Sequence, residues 1–113
     1  MFNVKVKLSF VYFDESSLGC FYIYLDENGN IPEITIEGKI DINSLITQKC
    51  DEIFGSWNLL SNFYLSNIEY GNDTIVIPYN IYCPNKNPCK TGKFVKFDKP
   101  SMELYRFAKH RGV

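Results

Sequence analysis

Hydrophobic and polar residues alternate along the first part of the chain. Between Asn3 and Phe13, one side of the alternation holds Val4, Val6, Leu8, Phe10 and Tyr12. A period of two predicts a half-buried β-strand. Alternating or β-branched and aromatic runs predict five more extended segments, at Gly19–Leu25, Ile31–Ile36, Asn62–Glu69, Thr74–Cys83 and Gly92–Asp98. We expect the second strand to lie antiparallel to the first.

Two features of these segments predict their surroundings. The Asn28-Gly29 pair between the second and third segments is the strongest short-range signal for a turn. Pro78 lies inside the fifth segment. Because proline cannot donate to a β-ladder, it predicts an edge strand or a bulge there.

The segment Asp41–Phe54 changes to helical spacing. Its apolar positions recur three or four residues apart and are Ile42, Leu45, Ile46, Cys50, Ile53 and Phe54. Asp41 is a suitable N-cap, and Gly55 suits the left-handed position after the last turn. A short second helix is expected over Ser101–Lys109, with Ser101 as N-cap and Leu104 and Phe107 facing inward. The order β-β-β-α-β-β-β-α predicts an α+β fold, in which the main helix packs on a mixed or antiparallel sheet.

Length and composition predict one domain over residues 1–113. Hydrophobic residues make up 45% of the chain and aromatic residues 16%, which is enough for a core without disulfides. The chain shows neither an apolar signal segment nor a run long enough to span a bilayer, so we expect a cytoplasmic protein with reduced thiols and no membrane association. Five residues separate Cys83 from Cys89, which is not a zinc-ligand spacing, so no metal site is predicted.

Charge is distributed unevenly. Residues 1–83 carry four lysines against eleven carboxylates, whereas residues 84–113 carry eight Lys or Arg against two. Lys86, Lys90 and Lys93 are expected to group at one end of the sheet and attract an anionic small ligand or an acidic protein surface. A solubilising face is the alternative interpretation. The basic residues are too dispersed to predict nucleic-acid binding.

Residues Ile31–Cys83 resemble the central part of the Nudix family, in which a strand and turn lead into a carboxylate-bearing helix. The stretch Gln48-Lys49-Cys50-Asp51-Glu52-Ile53-Phe54-Gly55 lies where the family has Arg-Glu-aliphatic-x-Glu-Glu-x-Gly. The resemblance implies a Nudix-like α/β/α sandwich. In that family, the helix carboxylates hold divalent metals that activate water and neutralise a diphosphate.

The match to the family motif is confined to Glu52 and Gly55. Gln48 replaces the arginine, and Lys49, Ile53 and Ile40 stand at glutamate positions. The resemblance therefore implies a degenerate, non-catalytic domain that binds a nucleotide-like ligand or a protein partner and needs no cofactor.

Two alternatives stay open. A divergent Mg²⁺-dependent hydrolase of nucleoside diphosphate derivatives would use Glu52, Asp51 and a further carboxylate from Glu33 or Glu37. A protein-interaction module would instead use an aromatic-rich sheet surface.

Overall fold

A computed structural model describes residues 3–15, 19–39, 41–55, 63–83 and 89–110. Its elements are β1 (Asn3–Asp14), β2 (Cys20–Leu25), β3 (Glu33–Thr35), α1 (Ile42–Phe54), β4 (Phe63–Leu65), β5 (Glu69–Tyr70), β6 (Thr74–Tyr82), β7 (Lys93–Lys96) and α2 (Met102–Lys109). The strands form a sheet of order β4-β6-β1-β2-β7, with β3 beside β1 and β5 beside β6. The predicted extended segment Asn62–Glu69 is thus two short strands rather than one.

The sheet is mixed, and β1 is its central strand. β1 pairs in parallel with β6, from Asn3 opposite Thr74 to Val11 opposite Tyr82. The other strand pairs are antiparallel, including the expected pairing of β1 with β2. The α+β fold with a mixed sheet, one main helix and a short C-terminal helix is confirmed.

The segment between β2 and β3 does not reverse the chain, although it contains the predicted Asn-Gly turn. Both strands run antiparallel to β1, with Val11 opposite Ile23 and Val6 opposite Ile34. Asp26 closes the intervening loop, because its Oδ1 accepts hydrogen bonds of 2.9 Å from the amides of residues 28 and 30. The loop is therefore an excursion from one long strand, and a hairpin between β2 and β3 is not formed.

Pro78 lies in an inner strand, so the edge position expected from it is wrong. The alternative, a bulge, is found in the facing segment, where the register shifts by one residue between the Leu65–Tyr79 and Glu69–Val76 pairs. β6 has β1 on one side and β4 and β5 on the other. The outer ladder is interrupted opposite Pro78, where the Ser66 amide donates to the Pro78 carbonyl at 2.9 Å. Within a strand, the nitrogen and the carbonyl of one residue point toward the same neighbouring strand. The N–H that Pro78 lacks would therefore point toward β4 and β5, at the place where their ladder is interrupted.

Each face of the sheet carries one helix, which completes an α/β/α sandwich. On the face that we call the α1 face, the helix residues Leu45, Ile46, Cys50 and Ile53 pack with Val6, Leu8, Phe10, Tyr24, Ile81 and Cys83. On the opposite α2 face, Phe107 and Ala108 pack with Val11, Phe21, Ile23 and Tyr82. The inward direction of Leu104 and Phe107 is confirmed. No helix among the described residues is long and apolar enough to cross a membrane.

Candidate functional site

The caps of α1 define where the helix begins and ends. Asp41 accepts a hydrogen bond from the Asn43 amide at 3.3 Å and another from Ser44 Oγ at 2.9 Å. Gly55 has a φ of 85°, and its amide donates to the Asp51 carbonyl. Positive φ is accessible to glycine at low steric cost, so both predicted ends of the helix are confirmed.

The positions that the Nudix resemblance singled out divide between the two sides of α1. Ile53 points into the core and is 3% exposed. Asp51 and Glu52 are exposed to solvent. A carboxylate at position 53 would therefore lie among apolar side chains rather than beside Glu52.

Glu52 is engaged with a cation on its own helix. Lys49 Nζ lies 3.0 Å from Glu52 Oε2, at a separation of three residues. Exposed pairs of this kind contribute at most about 1 kcal/mol to stability. The pair nevertheless puts a positive charge where the family pattern has a further carboxylate.

Two of the other carboxylates proposed for a hydrolase, those of Asp51 and Glu33, do not form a site with Glu52. Asp51 borders a shallow depression with the uncharged residues Asn43, Ser44, Thr47 and Gln48. Glu33 lies opposite Lys7 in the ladder between β3 and β1. Odd-numbered residues of β1 point to the α2 face, so both side chains lie across the sheet from α1. In the described part of the chain, no three Asp, Glu, His or Cys side chains converge on a point that suits a metal ion.

Of the three predicted basic residues, Lys86 lies outside the described residues, and the other two project from different faces. The Lys90 amide donates to the Ile53 carbonyl at 2.6 Å, and a Cβ added to Gly55 would lie 3.2 Å from Lys90 Cε. Lys93 lies opposite Leu25 in the ladder between β7 and β2, so both side chains point to the α2 face. Lys90 therefore places a positive charge at the C-terminus of α1, where the helix dipole favours a cation.

Sequence reasoning missed a contact that joins the segment before β7 to the core. The Tyr24 hydroxyl donates to the Thr91 carbonyl at 2.7 Å, and Tyr24 is 1% exposed. Burial raises the pKa of Tyr24, and the contact of its hydroxyl with the side-chain hydroxyl of Thr91, 3.3 Å away, offsets this in part. Gly92 follows with a φ of 70°. The Thr-Gly pair just before a predicted strand was the available signal for this contact.

Two thiols beside α1 are unsuited to nucleophilic chemistry. Burial raises the pKa of Cys50 to about 12. Burial also raises the pKa of Cys83 well above its usual range. Because the thiolate is the reactive form, both cysteines act as small apolar core residues.

The α2 face carries an open groove of about 630 Å³ beside the loop that links β2 and β3. It is lined by Lys7, Leu25, Asp26, Gly29, Asn30, Ile31 and Glu33. The sequence pattern gave no indication of this groove, because it forms only when the loop folds beside the sheet.

Comparison with known proteins identifies the architecture. No protein-family model matches the chain, and no curated protein matches it. A crystal structure of a MutT/Nudix family protein from Enterococcus faecalis matches with a TM-score of 0.63 at 10% identity. The match covers 89% of this chain and 46% of that chain.

The fold is Nudix-like. The chain spans less than half the length of that MutT/Nudix structure, and at 10% identity the likeness is one of fold alone. The chemistry of this Nudix-like domain therefore has to be derived from its own residues.

Proposed function

We propose that this Nudix-like domain binds a nucleotide-like ligand or a protein partner without hydrolysing it, on a degenerate form of the Nudix helix. The observation that carries the proposal is the direction of α1. The helix buries Ile53 in the core and pairs Glu52 with Lys49 at 3.0 Å.

The electrostatics of α1 support this proposal. Mg²⁺ is held by oxygen ligands at near-octahedral geometry, commonly one or two carboxylates together with phosphate and water. The helix offers Glu52 with the Lys49 ammonium beside it, and this cation would repel a metal ion. Asp51 comes one residue before Glu52, and neighbouring positions on a helix do not face each other.

The hydrolase alternative would need a carboxylate from another element. Glu33, one of the two candidates, is on the far side of the sheet from α1. The alternative of an aromatic-rich sheet surface has less support, since Phe10, Tyr24, Phe54 and Phe94 pack against one another in the core.

An activity assay with divalent metals tests the proposal. We expect no Mg²⁺- or Mn²⁺-dependent cleavage of ADP-ribose, a dinucleoside polyphosphate or a nucleoside triphosphate. Metal-dependent cleavage that is lost in Glu52→Gln and kept in Glu103→Gln would contradict the proposal. Glu103 is a matched control because it is an exposed glutamate on α2, on the other face of the sheet.

A thermal-shift screen with the same nucleotides, without metal, tests the binding role. A ligand present at about a hundred times its dissociation constant stabilises the native state by about 2.7 kcal/mol. Charge reversal of Lys86, Lys90 and Lys93, one at a time, shows which lysine contacts the phosphate group of a ligand that the screen identifies. We expect at least one reversal to weaken the binding of a phosphate-bearing ligand and to reduce the salt dependence of that binding.

A further inference from the structure

The outer edge of β3 presents unpaired backbone groups. The Pro32 carbonyl accepts a hydrogen bond from the Leu8 amide at 2.9 Å, and the Ile36 amide donates to the Val4 carbonyl at 2.8 Å. Even-numbered residues of β3 therefore face β1, and Glu33 and Thr35 direct their amide and carbonyl groups outward. Among the described residues, these outward groups have no hydrogen-bond partner.

This edge is acidic. Residues 26–39 contain four carboxylates, those of Asp26, Glu27, Glu33 and Glu37, against one cation, Lys39. Three of these carboxylates, those of the glutamates, are on exposed residues. Lys7 of β1 faces Glu33 across the ladder, yet no ion pair of 4.0 Å or less joins them within the described structure.

The groove of about 630 Å³ lies at the start of this edge. Its apolar lining residues Leu25 and Ile31 suit the methylene stem of a long side chain, and Asp26 and Glu33 suit a positively charged end. With Lys7 included, the formal charge of the lining is −1. The groove therefore favours an occupant that carries a cationic side chain.

We propose that the β3 edge binds an extended basic segment of a partner protein, which adds a strand to the sheet and places a Lys or Arg side chain in the groove. Strand addition draws affinity from main-chain hydrogen bonds and specificity from alternate side chains. This inference goes beyond the proposed function, because it adds a second binding surface whose groove lies on the α2 face, across the sheet from α1. A second copy of the chain is a poorer occupant, because two-fold pairing of β3 with itself would bring carboxylates of both copies together.

The test uses a fluorescein-labelled octapeptide in which Lys and Val alternate, titrated by fluorescence anisotropy. We expect it to bind the full chain, and we expect the matching Glu–Val peptide not to bind. Glu33→Gln should weaken binding about fivefold, the effect of losing one exposed ion pair. Glu69→Gln is the matched control and should leave binding unchanged. The exposed Glu69 carboxylate is on β5, which pairs with β6, so it lies beyond β1 from the β3 edge.

Removal of the outward hydrogen bonds separates strand addition from simple charge attraction. Thr35→Pro deletes an amide that faces away from β1, so the internal ladder is kept while binding is lost. If that variant does not fold, a Lys–Val peptide with alternate N-methylated amides makes the same test on the unchanged protein.

Several results would overturn the inference. These are no binding of the Lys–Val peptide, equal binding of the Glu–Val peptide, and binding that is unchanged by both Thr35→Pro and N-methylation. A concentration-dependent dimer that dissociates in Thr35→Pro would assign the edge to a second copy instead. Nucleotide hydrolysis by a chain that still binds the Lys–Val peptide would contradict only the non-catalytic role, so the two failures are distinguishable.

Discussion

The conformation at Gly92 gives the sharpest stability prediction. Gly92 has a φ of 70°, and a Cβ added there would overlap the Leu25 carbonyl oxygen and the Tyr24 hydroxyl. Neither group can withdraw easily. Leu25 pairs with Lys93 at the start of β7, and the Tyr24 ring is 1% exposed and packed edge-on against Phe10.

We therefore expect Gly92→Ala to destabilise the protein strongly. The left-handed conformation costs a non-glycine residue about 1–2 kcal/mol. Overpacking against groups that cannot move adds about 1–3 kcal/mol. The sum, about 2–5 kcal/mol, is a large fraction of the roughly 5–15 kcal/mol by which domains are stable.

Gly29→Ala is a matched control for this prediction. Gly29 has a φ of 79°, but a Cβ there would have no atom within 4 Å. Gly29→Ala should therefore cost only the free energy of the left-handed conformation, about 1–2 kcal/mol. Urea unfolding followed by circular dichroism measures both, and the midpoint should fall further in Gly92→Ala at an unchanged m-value.

A double-mutant cycle separates the two overlapping groups. Tyr24→Phe alone removes the hydrogen bond with Thr91 and should cost about 1 kcal/mol. Combined with Gly92→Ala, it should cost less than the sum, since the hydroxyl no longer meets the added methyl group. Equal destabilisation by Gly92→Ala and Gly29→Ala would refute the reasoning, because the overlap would then carry no energy.

Three further outcomes follow from the core. Leu45→Ala should lower the free energy of unfolding by about 2–5 kcal/mol, and a loss below about 1 kcal/mol in urea unfolding would show that α1 does not anchor the core. Ser66→Ala should cost about 1–3 kcal/mol, because it removes the hydroxyl that accepts a 2.6 Å hydrogen bond from Nδ2 of the buried Asn80 side chain. An unchanged urea midpoint would show that this hydrogen bond is dispensable. The raised pKa of Cys50, about 12, means that the native state keeps this proton while the unfolded chain releases it above about pH 9, so stability should fall between pH 9 and 12. Urea midpoints at pH 8 and 10 should show a smaller fall in Cys50→Ala than in the unchanged protein, and equal falls would exclude Cys50 as a source of this alkaline sensitivity.

Local signals were sufficient for most elements. Asp41 and Gly55 marked the ends of α1, because a cap side chain and a positive-φ glycine act within a few residues of where they stand. The alternation from Val4 to Tyr12 identified the face of β1 that α1 covers, since the side-chain period of a strand is fixed by its geometry. The Nudix-like architecture could be recognised from the same element order.

Features that depend on distant partners could not be read locally. The Asn28-Gly29 turn has the composition of a hairpin, yet pairing of β2 and β3 with β1 makes it an excursion from a continuing strand. Pro78 is accommodated inside the sheet only because its outer neighbours β4 and β5 are interrupted at that point.

The candidate sites show the same division. Sequence alone determined that Glu52 and Gly55 are the matches to the Nudix motif and that Lys49 and Ile53 stand at carboxylate positions. Only the tertiary structure decided that Ile53 faces the core, that Lys90 and Lys93 project from different faces, and that the outward backbone groups of β3 have no partner among the described residues. The physical reason is that residue type and spacing fix the local backbone conformation, whereas the surface on which a side chain emerges depends on strand register, and register is set by pairing between segments far apart in the chain.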